Sequence, residues 1–242
     1  MGTVLHEVLE DIYKPFINLV PEEKALKDAL AIAEVLVKGK TAKLFPALKT
    51  DSGRNLLFIK VAETWLKRFL SDEIKAIKSG KAPVIKGIEE ELKKPVSITL
   101  PDNSLLDVVL YGKMDRIDAS DGILRVIDYK TGLVEDSNVV LNDAADLFNP
   151  DKKTDKQLQL SLYKYLTEGN DLANGYEISP GIISFRSLGK GFMPLKSKAA
   201  DGEFETGLKE LLTQLFNPVI PFTQTNPKHC EYCNYKQVCQ RN

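Results

Sequence analysis

Gly112-Lys113-Met114-Asp115-Arg116-Ile117-Asp118 and Val126-Ile127-Asp128-Tyr129-Lys130-Thr131-Gly132 are the two runs from which the rest of the chain is read. The second is an apolar strand whose end turns polar in alternation, and a strand's period of two puts Asp128 and Lys130 on one face. Ala119-Ser120-Asp121-Gly122 lies between the runs and has the composition of a turn. It folds the second strand back on the first and sets Asp115 beside Asp128. Two carboxylates so placed repel each other unless a cation lies between them, and hard divalent ions such as Mg2+ prefer such oxygen donors. A lysine two residues on can orient or help deprotonate an attacking water, or stabilise charge developing on a phosphate. Taken alone, the three residues read equally well as a surface hairpin with an ordinary salt bridge, so the surroundings decide.

Outward from these runs the hydrophobic period changes twice. Val96–Leu100, Leu105–Asp115 and Ile123–Tyr129 are rich in β-branched and apolar residues and are separated by Pro101-Asp102-Asn103 and the turn above; they predict a three-stranded meander. Upstream the pattern is helical. Thr3–Tyr13 is amphipathic, Pro21-Glu22-Glu23 opens a second helix running to about Val37, and a long helix is predicted over about 54–79, with Leu57, Val61, Trp65 (or Leu66), Phe69 and Ile77 at helical spacing. Downstream, a helix over about 156–166, a strand over 181–185 and a helix over 203–216 are expected, then an extended connector over 218–227. Helices, three strands, helix, strand, helix make an α/β or α+β layer with its sheet covered by helices.

Composition excludes several classes. A chain of 242 residues can bury a full core as one large domain, or a domain with an extension. No run of 18 apolar residues exists, so a membrane span is excluded, and the N-terminus lacks the form of a secretory signal; the expected location is the cytoplasm. The net charge of −1 is unevenly spread: residues 38–86 hold twelve Lys or Arg against four Asp or Glu. Such a cluster can bind phosphate, although a set of helices with solvated lysine faces explains it as well. The three cysteines, Cys230, Cys233 and Cys239, all fall in the last thirteen residues. An odd, clustered set reads as metal or cluster ligation rather than disulfides.

The spacing Asp115…Asp128-Tyr129-Lys130 resembles the PD-(D/E)XK nuclease signature, and the longer wording of both runs closely resembles its RecB-type branch, including the nuclease domains of RecB, AddA and AddB. Three more places match that branch in order. Gly2-Thr3-Val4-Leu5-His6 is similar to its Gly-x-x-x-His helix, whose histidine is a metal ligand. Gln159…Tyr163 is similar to its Gln-x-x-x-Tyr helix, which lines the site, and a spacing of four puts both on one helical face. Cys230, Cys233 and Cys239 are similar to the C-terminal cysteine set of AddB and CRISPR-adaptation nucleases, where a fourth, upstream cysteine completes a [4Fe–4S] cluster.

The resemblance implies an α/β, restriction-endonuclease-like core: a mixed β-sheet flanked by helices over residues 1–216, with a cysteine-bearing C-terminal extension over 217–242. It implies a metal-dependent deoxyribonuclease, an exonuclease in recombinational DNA repair, with Asp115, Asp128 and Lys130 catalytic. Mg2+ or Mn2+ would be held by His6, Asp115, Asp128 and the Tyr129 carbonyl, and Gln159 and Tyr163 would touch the substrate. The implied partners are DNA, as single-stranded ends, and a helicase domain or subunit. No cysteine precedes Cys230, and Met1 stands where the family has preceding sequence. The chain is therefore expected to be the C-terminal part of a longer protein, with the cluster intact only in that parent.

Other readings remain beside this one. A non-catalytic DNA-binding or scaffolding module of such a complex, or a CRISPR-adaptation nuclease, would share most of these residues. Glu89-Glu90-Glu91 reads as a solvated acidic run, although the family has a glutamate near this position that approaches the metal. Arg116 and Asp118 read as a strand-end salt bridge. His229 reads as incidental; zinc held by it and the three cysteines is outside usual ligand spacing. Gly39-Lys40-Thr41 is not a phosphate loop, because Glu34 stands where that motif needs glycine.

Overall fold

The computed structural model describes residues 1–200, 202–221, 230–231 and 233–239. Asp121 and Gly122 both take positive φ, 51° and 78°. That is the backbone of a two-residue hairpin whose twist matches its strands, and it joins β2 (Leu105–Ser120) to β3 (Ile123–Lys130). Asn103, also at positive φ, closes the turn between β1 (Val84–Thr99) and β2. The meander is antiparallel throughout.

β5 (Glu177–Ser184) lies parallel to β3, and β6 (Phe192–Pro194) is antiparallel to β5. The order β1-β2-β3-β5-β6 makes a five-stranded mixed sheet. Parallel neighbours cannot be joined by a hairpin, and the crossover from β3 to β5 carries helix α5 (Asp155–Thr167). A separate pair, β4 (Val140–Leu141) and β7 (Lys196–Ser197), is also parallel. β4, β6 and β7 were not expected; two or three residues show no periodicity.

Helices α1 (Gly2–Tyr13), α2 (Glu23–Ala31), α3 (Ala33–Leu44) and α4 (Gly53–Lys78) cover one face of the sheet. Their core joins Val4, Leu5, Val8, Leu9, Leu26, Val37, Leu66 and Phe69 to Ile127, Tyr129 and Ile183. The other face packs on α5 and on α6 (Glu203–Leu215). The architecture is the mixed α/β, restriction-endonuclease-like layer expected from the sequence. The second helix differs: it breaks at Ile32 and then continues to Leu44 through Gly39. Burial overrides the glycine here, since Val37 and Thr41 are fully buried and the Thr41 hydroxyl donates to the Val37 carbonyl. Among the described residues no helix is long and apolar enough to cross a membrane.

β1 begins twelve residues before the expected start at Val96, and the reason lies at Glu89. Its φ is +50°, a left-handed backbone that redirects a strand. Ile88 packs in the core under α1 and α4, whereas Leu92, an even number of residues on, packs against α5. The partner strand turns at the facing position: Arg116 reaches Glu73 on α4, and Met114 joins the α5 core. Both strands therefore exchange faces at Glu89 and Asp115, so no single period runs through β1. Pro95 sits further along β1, an edge strand paired with β2, where a missing N–H is tolerated.

Six of the twelve cations in the positive segment are held in ion pairs. Lys38 pairs with Glu34, Lys40 with Glu7 and Asp11, Lys60 with Glu34 and Glu63, Lys67 with Glu63, Lys75 with Asp72, and Lys78 with Glu23. These are helix-surface pairs, in line with the solvated-face reading. Most of the connector over 218–227, and His229, lie outside the described residues.

Candidate active site

The register that pairs Arg116 with Ile127 brings Asp115 level with Asp128. At that point β2 and β3 part, and the Asp115 side chain takes the place of the next rung: the Tyr129 N–H donates to Asp115 Oδ2 at 2.6 Å. From the α1 side comes His6. Its Nδ1 stands 3.2 Å from Asp115 Oδ1 and its Nε2 donates to the Tyr129 carbonyl at 2.9 Å. Both ring nitrogens thus face acceptors, an arrangement that suits the imidazolium. Burial opposes the charge, but Asp115, the Tyr129 carbonyl and Glu89 outweigh it and raise the His6 pKa above its ordinary value.

Glu89 completes this group. Ligand atoms of His6, Glu89 and Asp115 all lie within 4.8 Å of one another, and Lys113 Nζ stands 2.7 Å from Glu89 Oε2. Glu89 is the residue the sequence reading did not commit to: Glu91 is exposed and paired with Lys93, as a solvated run predicts, but Glu89 is turned inward. The available signal was the spacing of Ile85, Ile88 and Leu92, which breaks the period of two as a bulged strand does.

On the far side of Asp115, Asp128 is 3% exposed. Burial, then repulsion from Asp115, pushes its carboxyl up to about 6, against the pull of Lys130 and His6. Lys130 Nζ donates to Asp128 Oδ1 at 3.0 Å. It also lies 2.8 Å from Oδ2, but off the bonding direction, so that buried oxygen has no hydrogen-bond donor among the described residues. Lys130 donates as well to Gln159 Oε1 at 2.9 Å; Gln159 Nε2 donates to the Tyr163 hydroxyl, which donates to the Lys113 carbonyl, each at 2.9 Å. Gln159 and Tyr163, expected to touch substrate, are joined to Lys130 by these bonds, with Gln159 half-buried and Tyr163 7% exposed.

Arg116 and Asp118 lie on the other side, buried rather than at a strand end. The Arg116 guanidinium meets Glu73 at 2.8 Å and Asp118 at 2.7 Å and covers the Tyr13 ring; Arg125 grips Asp118 with two bonds. This ionic cluster ties α1 and α4 to the strands behind the site.

His6, Glu7, Glu89, Lys113, Lys130 and Gly132 wall a cleft of about 490 Å³. A larger cavity of about 770 Å³ lies between Phe148 and α6, but its ionisable lining is Asp143, Glu203 and Glu210, with no lysine, arginine or histidine among the described residues; His6, Glu89 and Lys130 line the smaller cleft. The acid-rich donor set and the orphaned Asp128 oxygen fit a hard divalent cation. Cys230 and Cys233 are half-buried and Cys239 is exposed. Among the described residues they form no ligand group, and three thiols are one short of a [4Fe–4S] set.

A model of the PD-(D/E)XK nuclease superfamily matches residues 1–240. No curated protein matches this chain. Two similar solved structures are those of SSO0001 (13% identity, covering 76% of this chain and 77% of that one, TM-score 0.32) and of protein VC1899 from Vibrio cholerae (16%, 89% and 57%, TM-score 0.27). At those TM-scores neither bears on fold or function.

Proposed function

Since this chain belongs to the PD-(D/E)XK nuclease superfamily, we propose that it hydrolyses phosphodiester bonds in DNA, with Mg2+ or Mn2+, in the cleft between α1 and the β1–β2 hairpin. The observation that carries the reading is the meeting of His6, Glu89 and Asp115 beside a buried Asp128 whose second oxygen has no hydrogen-bond donor among the described residues, although the Lys130 ammonium lies 2.8 Å away. His6, Glu89, Asp115, Asp128 and the Tyr129 carbonyl would hold the ion. When bound, it supplies Lewis-acid polarisation of the phosphate and a water of lowered pKa. Lys130, fixed by Asp128 and Gln159, orients the attacking water and balances negative charge on the phosphoryl oxygens. Gln159 and Tyr163 keep that ammonium in place. His6 has to give up its proton before its nitrogen can serve as a ligand.

The finer assignment is an exonuclease acting on single-stranded ends delivered by a helicase domain or subunit in recombinational repair. It assigns residues 1–216 to the nuclease domain and 217–242 to an extension. Its support is the order of the motifs at His6, Asp115, Asp128–Lys130 and Gln159–Tyr163, and the cysteine set after them.

Labelled single- and double-stranded DNA should be degraded by the purified chain with Mg2+ or Mn2+ and spared in EDTA. Asp115→Ala and Asp128→Ala should each lower the rate by at least roughly a hundredfold, the scale of removing one preorganised electrostatic group. Cleavage by either variant at the parent rate would defeat the assignment.

A further inference from the structure

The β1–β2 pair outruns the rest of the sheet. β3 pairs with β2 from Arg116 to Ser120, whereas β1 follows β2 out to Leu105. Residues 91–99 and 105–113 therefore form a two-stranded ribbon, roughly 30 Å long at the usual rise. One face is packed: Val96, Ile98, Leu106 and Val108 meet Tyr165, Leu208 and Leu212. The other is bare among the described residues. Leu105, Val109 and Tyr111 are 76%, 59% and 68% exposed, and Lys93 and Pro95 stand opposite Tyr111 and Val109. Asp107 shares the row and accepts a hydrogen bond from Ser97 across it. Large apolar side chains on open sheet mark a contact surface.

Lys113 belongs to the same row, since alternate residues share a face, and it forms part of the cleft wall beside Glu89. The bare face thus begins where the cleft ends. We propose that it is the track of the substrate strand: single-stranded nucleic acid leaving the cleft stacks an unpaired base on the Tyr111 ring and sets the adjoining phosphate on Lys93. The inference rests on the nuclease reading and adds to it a binding subsite for the substrate strand outside the cleft. An aromatic ring offers a stacking surface to any base, and ammonium groups beside it match the phosphates. Lys93 is paired with the exposed Glu91 at 2.9 Å, a surface pair that costs little to exchange. Duplex DNA keeps its bases stacked on one another and gains nothing from Tyr111. The ring is four residues from Asp115, about 13 Å along the strand, so it grips the chain beyond the bond being cut and acts on specificity.

Fluorescence anisotropy on the full chain in EDTA tests this with a short labelled oligothymidylate and a duplex of equal length. Tyr111→Ala should weaken single-strand binding roughly tenfold, Tyr111→Trp should restore it, and duplex binding should not change. Lys93→Ala should reduce the salt slope by about one. Hydrolysis of bis(p-nitrophenyl) phosphate with Mn2+, a diester too small to reach Tyr111, should be the same in Tyr111→Ala as in the parent. Parent-level single-strand affinity in Tyr111→Ala overturns the proposal. If light scattering shows the parent to be a dimer that this variant disrupts, while DNA affinity is unchanged, the face belongs to a second copy and the proposal is again overturned. If the parent cuts neither substrate yet Tyr111 still governs single-strand binding, the nuclease reading fails and the stacking contact stands.

Discussion

An aspartate buried beside a second carboxylate is held in a state that solvent would not choose. The Asp128 carboxyl, raised to about 6, is ionised at neutral pH at the expense of the fold. Because its folded pKa lies above its unfolded one, it contributes stability that is fully present below about 4 and is lost as pH rises through about 6. A shift of about two units corresponds to about 3 kcal/mol. Asp128→Asn keeps an oxygen for Lys130 and removes the charge. In EDTA at pH 7.5 it should therefore unfold at higher urea than the parent, by up to about 3 kcal/mol, and the gap should close as pH falls to 4. A gap that is absent or grows on acidification would show that Asp128 is not strained by its surroundings. His6 shifts in the same sense, and both side chains are thus poised to exchange a proton for a cation.

At the scale of the element, β1 departs furthest from its sequence pattern. Where one period ran unbroken, the sequence was legible: Asp128 and Lys130 follow from alternation, the hairpin from Asp121-Gly122, and Gln159 and Tyr163 from a spacing of four on α5. Glu89 was not, because a left-handed residue inside the strand exchanges its faces and local pattern then points the wrong way. The helix extension through Gly39 failed for a different reason: burial of Val37 and Thr41 is tertiary and leaves no local mark. The kink itself is testable. Glycine adopts φ of +50° without the penalty of about 1 kcal/mol that a side chain incurs. Glu89→Gly should therefore melt in EDTA no lower than the parent, while needing more Mn2+ for half-maximal cleavage. A melting temperature several degrees lower, with unchanged Mn2+ demand, would make Glu89 structural.

For the whole molecule, the layers explain why the candidate site forms at one small cleft. The sheet brings the end of β3 beside the interior of β2, α1 lays His6 across them from one side, and α5 braces Lys130 from the other. Half of the cations in residues 38–86 are held in ion pairs; a nearly neutral chain is compatible with the nuclease reading because the charges proposed to act on the substrate are concentrated at the cleft. The most direct test of that convergence is a crystal of the chain soaked in Mn2+ and measured for anomalous scattering. The predicted result is a peak bounded by His6, Glu89, Asp115, Asp128 and the Tyr129 carbonyl, absent in Asp115→Ala. No peak at millimolar Mn2+, or one elsewhere with this group unchanged, would contradict it.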